Sequence, residues 1–159
     1  MKDNIKYSAG IIPYRISEGH YEFFVGHPGG PYWADKNYWA LLKGRLEYGE
    51  DEKTAALREF QEESGIRLPE DAVYNMWKVC TLKQNPKKMV TAFAVEYGDI
   101  DPSQCHSNMA DYCDWPEIDS YAWVPYEEIL KCTHKNNTEF YKKIVETKKM
   151  QEQTNAING

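Results

Sequence analysis

The stretch from Gly44 to Ile66 reads GRLEYGEDEKTAALREFQEESGI. It holds Glu59, Glu62 and Glu63 at spacings of three and four residues, which place side chains on one face of an α-helix. Like charges this close repel one another, and a bound divalent cation would remove that repulsion. Oxygen ligands suit Mg²⁺ or Mn²⁺, and these ions also bind phosphate oxygens. The stretch therefore predicts a metal-dependent enzyme that acts on phosphates, whereas an isolated glutamate-rich helix would more simply be a solvated surface.

The same pattern predicts that this helix covers residues 51–64, after a turn at Gly44. Acidic residues crowd its first turn, where they suit the positive end of the helix dipole. Gly65 is typical of the left-handed residue that follows a helix. Three apolar residues beside the carboxylates would anchor the helix on a sheet: Ala56, Leu57 and Phe60.

The rest of the chain predicts strands on both sides of this helix and further helices near its end. Strands are expected at 7–15, 20–26, 76–83, 89–97 and 121–124. Helices are expected at 126–132 and 138–150. Together these elements predict an α/β fold with a mixed sheet between helical layers. We expect residues 1–150 to form a single domain and residues 151–159 to form a frayed polar tail.

Composition and charge limit the classes of partner. The chain has 159 residues and is 42% hydrophobic, which suffices for one domain with a core. Its net charge of −6 argues against bulk nucleic acid but not against a small anionic substrate, because a local metal ion can outweigh the net charge. No apolar run has the length of a membrane helix or a signal peptide, so we expect no membrane partner and a cytoplasmic location. The oligomeric state is left open.

Several fixed positions of the opening stretch together resemble the signature of the Nudix hydrolases. They are Gly44, Glu50, Arg58, Glu59, Glu62, Glu63, Gly65 and Ile66. Phe60 departs mildly, since it stands where the family usually has an aliphatic residue. The blocks SAGIIPYR at 8–15, HPGGPYW at 27–33 and WPEIDSYAW at 115–123 are similar to a prokaryote-type branch of that family. The resemblance implies the Nudix α/β/α sandwich.

The resemblance also implies an activity. Nudix enzymes use a metal-activated water to cleave a phosphoanhydride in a nucleoside diphosphate that is linked to another moiety. The blocks SAGIIPYR and WALLKGRLEYGED resemble the diadenosine polyphosphate class more than other classes, so nucleotide polyphosphates, either dinucleoside polyphosphates or nucleoside triphosphates, are the favoured substrates. Two alternatives stay open: a nucleotide-sugar hydrolase, and a Nudix-like module that senses a nucleotide without cutting it.

The family's metal site maps onto the glutamates of the predicted helix. By resemblance, Glu62 and Glu63 are the main ligands of Mg²⁺ or Mn²⁺, and the carbonyl of Gly44 completes the site. Glu59 matches the third helix carboxylate of the family, which contacts a metal or a metal-bound water. This assignment gives the three glutamates catalytic roles.

Arg58 is expected to form an ion pair with Glu50, which would fix the preceding loop against the helix. This pair would mainly orient the loop relative to the helix and would contribute less to the reaction itself. Glu47 is a candidate for a supporting position behind the metal ligands. Lys43 either contacts a phosphate of the substrate or is an ordinary surface lysine.

An irregular loop at 27–39 carries large aromatic residues, among them Tyr32, Trp33 and Trp39. Aromatic rings of this kind either pack against the core or form a platform on which a purine or another ring stacks. The sequence leaves both interpretations open.

Nudix enzymes often recruit one more carboxylate from a loop late in the fold, and here we assign that role to Glu117. Pro116 stiffens the segment and Ile118 can anchor it, which leaves Glu117 and Asp119 pointing the other way. Glu117 would be either a further metal ligand or the base that deprotonates the attacking water. The candidates that we rank below it are Glu96, Asp99, Asp101, Asp111, Asp114 and Asp119.

Overall fold

The structure is a computed structural model that describes residues 4–158. In this part of the chain there are six strands and four α-helices. The strands are β1 (Lys6–Ser17), β2 (His20–Pro28), β3 (Leu42–Arg45), β4 (Trp77–Asn85), β5 (Lys88–Glu96) and β6 (Ile118–Pro125). The helices are α1 (Glu52–Ser64), α2 (Glu70–Asn75), α3 (Tyr126–Cys132) and α4 (Thr138–Asn158). Within residues 4–158, no helix has both the length and the apolar character needed to span a membrane.

The strands form one mixed sheet in the order β4-β5-β1-β2-β6, with β3 paired to β1. The pairing of β1 with β5 is parallel, and the other pairings are antiparallel. Strand β1 organises this sheet, because β3 pairs with its first half and β2 with its second half, while β5 runs along its other edge. The mixed sheet predicted from the sequence is confirmed.

Helices cover both faces of the sheet. One core contains Phe24 and Leu42 and packs against Phe60 of α1. The other core contains Phe23 and packs against α3 and α4, where the ring of Tyr141 lies 5.1 Å from that of Phe23. Because side chains alternate along a strand, the neighbours Phe23 and Phe24 enter opposite cores. This arrangement confirms the α/β/α sandwich.

Both ends of α1 have the expected caps. The side chain of Asp51 accepts a hydrogen bond from the backbone N–H of Thr54 at 2.8 Å. Gly65 adopts a left-handed conformation with φ of 74°, and its N–H donates to the carbonyl of Gln61. These local interactions explain why this helix could be predicted within about one residue at its ends.

The secondary-structure elements differ from the prediction at two places near α1. Gly44 lies inside strand β3, opposite Ala9 of β1, instead of in a turn. The sequence prediction missed β3 because it spans only Leu42–Arg45, too few residues for a period-two pattern. It also missed α2, since a helix of six residues that starts after Pro69 gives little periodic signal.

The last helix is longer than predicted. Residues 151–158 continue α4 as regular helix instead of forming a frayed tail, and all of their side chains are exposed. The segment holds several good helix formers and no proline, so the helix can continue although its side chains are exposed. The polar composition thus indicated exposure correctly but not the loss of helical structure.

Gly65 should tolerate alanine less well than Gly19, which has a similar φ of 79° in the β1–β2 turn. The left-handed backbone alone should make each change lower the free energy of unfolding by about 1 kcal/mol, because a Cβ disfavours this conformation. At Gly65 the added Cβ would also lie 2.7 Å from Nε2 of His106, whereas nothing lies within 4 Å at Gly19. Urea denaturation should therefore show a larger loss for Gly65→Ala.

The control is the double variant Gly65→Ala/His106→Ala, which removes the crowding ring. Its stability relative to His106→Ala should fall only by the amount seen for Gly19→Ala. If Gly65→Ala and Gly19→Ala cost the same from the start, the contact with His106 contributes nothing.

Candidate active site

Arg58 joins the loop before α1 to the helix itself. Its Nε donates to Oε2 of Glu50 at 2.8 Å, and its Nη2 donates to Oε1 of the same carboxylate at 2.9 Å. Nη2 also donates to the carbonyl of Arg45 at 3.0 Å. The pair expected from the sequence is therefore present as a bidentate contact, and it fixes the end of β3 relative to the helix.

The same guanidinium reaches the helix carboxylates. Its Nη1 lies 2.8 Å from Oε1 of Glu59 and 3.2 Å from Oε2 of Glu62. The hydrogen bond from Arg58 lowers the pKa of Glu50 to about 2, and the contacts with Glu50 and Glu59 raise the pKa of Arg58. One cation thus forms hydrogen bonds with three carboxylates, and that of Glu47 lies 3.7 Å from its Nη1 as a fourth.

Glu59 lies directly over the backbone of β3. A Cβ added to Gly44 would fall 1.9 Å from Cδ of Glu59, so the carboxylate occupies the space that any side chain at Gly44 would need. This close approach explains why glycine stands at this position. It also places the Gly44 backbone beside a predicted metal ligand.

Glu63 is buried, with 4% of its surface exposed, and its Oε2 has no hydrogen-bond partner. Burial, together with the charges of Glu59 and Glu117, raises the pKa of Glu63 to about 9. A buried carboxylate oxygen without a partner is costly, and a cation beside Glu59 and Glu63 would satisfy it. The donor set, made of oxygen atoms only, fits a hard ion such as Mg²⁺.

Between Asn4 and Asn158, however, no three acidic, histidine or cysteine side chains already converge as a chelating group. Arg58 holds Glu59 and Glu62 in hydrogen bonds instead. Metal binding at these residues would require the two carboxylates to turn away from the guanidinium.

Glu117 immediately precedes β6 and lines the same cleft as Glu59. Its backbone is held on both sides, because its N–H donates to the carbonyl of Asn108 and its carbonyl accepts from the N–H of Gly29, each at 2.9 Å. Burial raises the pKa of Glu117, and the charge of Asp111 raises it further. The carboxylate is thus near the helix glutamates, although its chemical role stays a prediction.

Three of the other acidic candidates are engaged elsewhere. Asp119 contacts Nδ1 of the buried His27 at 2.8 Å. Asp101 accepts a hydrogen bond from the N–H of Ser103. Glu96 lies 3.6 Å from Lys148 of α4. Asp111, by contrast, also lines the cleft, so it is the main competitor of Glu117.

The cleft has a volume of about 800 Å³ and contains basic residues that the sequence analysis did not assign. Besides Lys43, it is lined by Lys6, Arg45, Lys87 and Lys88. Burial, together with the neighbouring charge of Lys88, lowers the pKa of Lys43 to about 8. The signal that could have revealed this group is the alternation along β1, β3 and β5, but it becomes readable only once the strand register is known.

The aromatic loop lies outside the lining of this cleft. Trp39 packs against the core beneath α3 and α4, with its ring 5.4 Å from that of His27. Trp33 contacts the rings of Tyr32 and Tyr38, and Tyr32 is 66% exposed. The structure therefore gives Trp39 a packing role, while stacking of a substrate ring on Tyr32, Trp33 or Trp39 stays a prediction.

Replacing Glu50 with glutamine should remove a contribution to the free energy of unfolding that wild type itself loses at low pH. The folded-state pKa of Glu50 is depressed, to about 2, below the value of about 4.3 in an unfolded chain. Its contribution to the free energy of unfolding is thus present above about pH 4.3 and lost as the pH falls through about 2. Denaturant unfolding with a chelator present should show wild type more stable than Glu50→Gln near pH 6, with the difference vanishing near pH 2. A difference that is constant over this range would contradict the ion pair.

Comparisons with known proteins identify the family of this chain. The model of the NUDIX domain family matches residues 8–147. An RNA pyrophosphohydrolase of Roseobacter denitrificans is 28% identical over 145 residues, which cover 76% of this chain and 82% of that protein. An RNA pyrophosphohydrolase of Pelagibacter ubique is 26% identical over 126 residues, covering 70% of this chain and 74% of that protein.

A solved structure shares the fold. The Ap4A hydrolase of C. elegans, crystallised as a binary complex, is 21% identical and has a TM-score of 0.65, with 88% of this chain and 95% of that chain covered. At this identity the likeness concerns the fold alone. The match to the family, in contrast, spans most of the sequence and includes nearly every element that builds the cleft, and this chain therefore belongs to the NUDIX domain family.

Proposed function

We propose that this protein is a divalent-metal-dependent pyrophosphohydrolase that uses water to cleave a phosphoanhydride of a nucleotide polyphosphate. The observation that carries the proposal is one cleft that is lined both by the carboxylates of Glu59 and Glu117 and by several lysines. Carboxylates suit a metal ion, and ammonium groups suit phosphate oxygens. Few ligands other than a metal-bound phosphate chain satisfy both.

The metal would be held by Glu59, Glu62 and Glu63, with the carbonyl of Gly44 as a further ligand. A Mg²⁺ or Mn²⁺ ion held there would neutralise phosphate charge and lower the pKa of a bound water. The buried, unpaired Oε2 of Glu63 supports this assignment. Arg58 would keep its bidentate contact with Glu50, while Glu59 and Glu62 would have to leave the guanidinium to hold the ion.

Glu117 and Lys43 complete the proposed chemistry. Burial raises the pKa of Glu117, which makes its carboxylate a better proton acceptor at neutral pH than an exposed glutamate. We propose that Glu117 accepts the proton of the attacking water. Lys43, whose pKa is about 8, is mainly charged at pH 7 and can donate to a phosphate oxygen.

The substrate class follows from the same cleft and from the relatives. Two of the similar proteins are named RNA pyrophosphohydrolase and Ap4A hydrolase, and both names indicate cleavage of phosphoanhydrides of nucleotides. A 5′-triphosphate end of RNA would offer this cleft the same phosphate chain as a free nucleotide. The net charge of −6 argues that such an RNA would be recognised at its end more than along its backbone.

A substrate panel distinguishes this proposal from its alternatives. Nucleoside triphosphates, dinucleoside tetraphosphates, 5′-triphosphate oligoribonucleotides and nucleotide sugars would be incubated with the protein, with released phosphate and pyrophosphate as the readout. Turnover should be lost with excess chelator and restored by Mg²⁺ or Mn²⁺. Binding without turnover of any substrate would instead identify a non-catalytic nucleotide sensor.

Glu63→Gln should lower turnover by about 10² to 10⁴, comparable with the loss of an essential catalytic group. Without metal, the same change should stabilise the protein. Since the folded-state pKa of Glu63 is raised to about 9, wild type loses stability as the pH rises from about 4.3 toward 9, and the variant does not. Thermal unfolding in chelator at pH 8 should therefore give Glu63→Gln the higher Tm.

Mg²⁺ should reverse this order, because the ion binds the folded wild type and raises its Tm more than that of the variant. Near-native turnover of Glu63→Gln at limiting Mg²⁺, or equal Tm gains for both proteins, would show that Glu63 is not a metal ligand.

Glu117→Gln should lower kcat strongly with little change in KM, because a general base acts in the transition state and not in substrate binding. It should also flatten the acid limb of the pH–rate profile. Asp111→Asn is the matched control, since Asp111 lines the same cleft. A wild-type kcat for Glu117→Gln together with a severe loss for Asp111→Asn would assign the base to Asp111.

A further inference from the structure

Four lysines meet in the cleft from three strands and an adjoining turn. Lys6 begins β1, Lys43 lies in β3, Lys88 begins β5, and Lys87 stands in the turn just before it. We call this group the lysine face. Its members come from distant parts of the sequence, and only the register of the sheet brings them together.

The register explains the clustering. Lys6 is the partner of Lys88 in the parallel β1–β5 ladder, so their backbones are about 4.8 Å apart and their side chains share one side of the sheet. The N–H of Lys6 also donates to the carbonyl of Lys87 at 2.8 Å. Lys43 stands opposite Gly10 of β1, and a Cβ at Gly10 would fall 2.7 Å from the Cβ of Lys43. The carbonyl oxygen of Leu42 would be closer still, so the glycine at this position lets β3 approach β1 closely.

In the part of the chain that the structure describes, no carboxylate lies in direct contact with these ammonium groups. Among residues 4–158, Lys78 and Lys148 form ion pairs with Glu52 and Glu96, but none of the four lysines of the lysine face has an acidic partner within 4.0 Å. Ammonium groups gathered in one cleft repel one another, and a bound anion would relieve that repulsion.

We propose that the lysine face binds phosphate groups of the substrate beyond the two joined by the cleaved bond, so that the protein selects chains of three or more consecutive phosphates. The position of the cleaved bond rests on the proposed function, whereas binding of the phosphate chain does not. A nucleotide sugar has only two phosphates, and its sugar hydroxyls would leave part of the lysine face without a counter-charge. A triphosphate or tetraphosphate supplies the missing charge.

Binding of inorganic tripolyphosphate tests this proposal without any turnover. Calorimetry on the metal-free protein at low salt would compare tripolyphosphate, pyrophosphate and a short oligoribonucleotide with a 5′-hydroxyl end. The test variant is Lys87→Gln/Lys88→Gln, and Lys6→Gln is a second, independent variant. The matched control is Lys83→Gln/Lys142→Gln, which removes two exposed lysines that do not line the cleft.

Wild type should bind tripolyphosphate more tightly than pyrophosphate. The test variant should bind tripolyphosphate at least about tenfold more weakly, since each lost charge-assisted hydrogen bond costs about that factor. The control should stay within about twofold of wild type, although both double changes remove the same net charge. An equal loss of tripolyphosphate affinity in the test and control variants would show that the lysines act only through the overall charge of the protein. That result would overturn the proposal.

Two further outcomes would also overturn it. If wild type does not bind tripolyphosphate, the lysine face is not a phosphate site. If the test variant keeps its affinity for tripolyphosphate but loses the 5′-hydroxyl oligoribonucleotide, the lysines contact an RNA backbone instead. A wild type that binds tripolyphosphate through the lysine face, yet hydrolyses nothing in the substrate panel, would refute the proposed function and keep this inference.

Discussion

The arrangement of the cleft depends on how one guanidinium is shared among several carboxylates. Arg58 binds Glu50 in two hydrogen bonds and reaches Glu59 and Glu62 with its remaining nitrogen. The contact with Glu50 joins the loop to the helix, and the contacts with the other two compensate charges that would otherwise repel. Glu63 makes no such contact with this cation and remains buried without a partner for Oε2. That imbalance is the physical reason to expect a second cation beside it.

The sheet sets the distance between this acidic group and the lysine face. Strand β3 pairs with β1 and presents its two sides to different partners, because its side chains alternate. Glu59 lies over Gly44, while Lys43 stands opposite Gly10 on the neighbouring strand. At Gly44 the carboxylate of Glu59 occupies the space of the missing Cβ, and at Gly10 the backbone of β3 does so. Substrate phosphates between these groups would contact positive charge from both sides once a metal ion is bound.

Local signals made part of this structure predictable. Helix α1 has a capping aspartate, a left-handed glycine at its end and an apolar face, and all of these act within a few residues of chain. The carboxylates could therefore be placed on one face before any tertiary contact was known. Glu117 was selected from seven late acidic residues by the stiffness of its segment, and it does line the cleft.

Other features depend on contacts between distant residues and were not predictable in the same way. The lysine face requires the parallel register of β1 and β5, which the hydrophobic pattern of either strand alone leaves undetermined. Strand β3 was too short to show a period. For Trp39 the sequence left packing and stacking equally open, and its contact with the core beneath α3 and α4 became visible only in the folded chain.

The central claim is that the carboxylates of α1 bind a divalent cation by turning away from Arg58. Anomalous diffraction from crystals soaked in Mn²⁺ tests this claim most directly. The account predicts a manganese peak beside Glu59 and Glu63, with Arg58 still bound to Glu50 but separated from Glu59. A peak elsewhere in the protein, or a peak-free cleft in which Arg58 still holds Glu59 and Glu62, would contradict it.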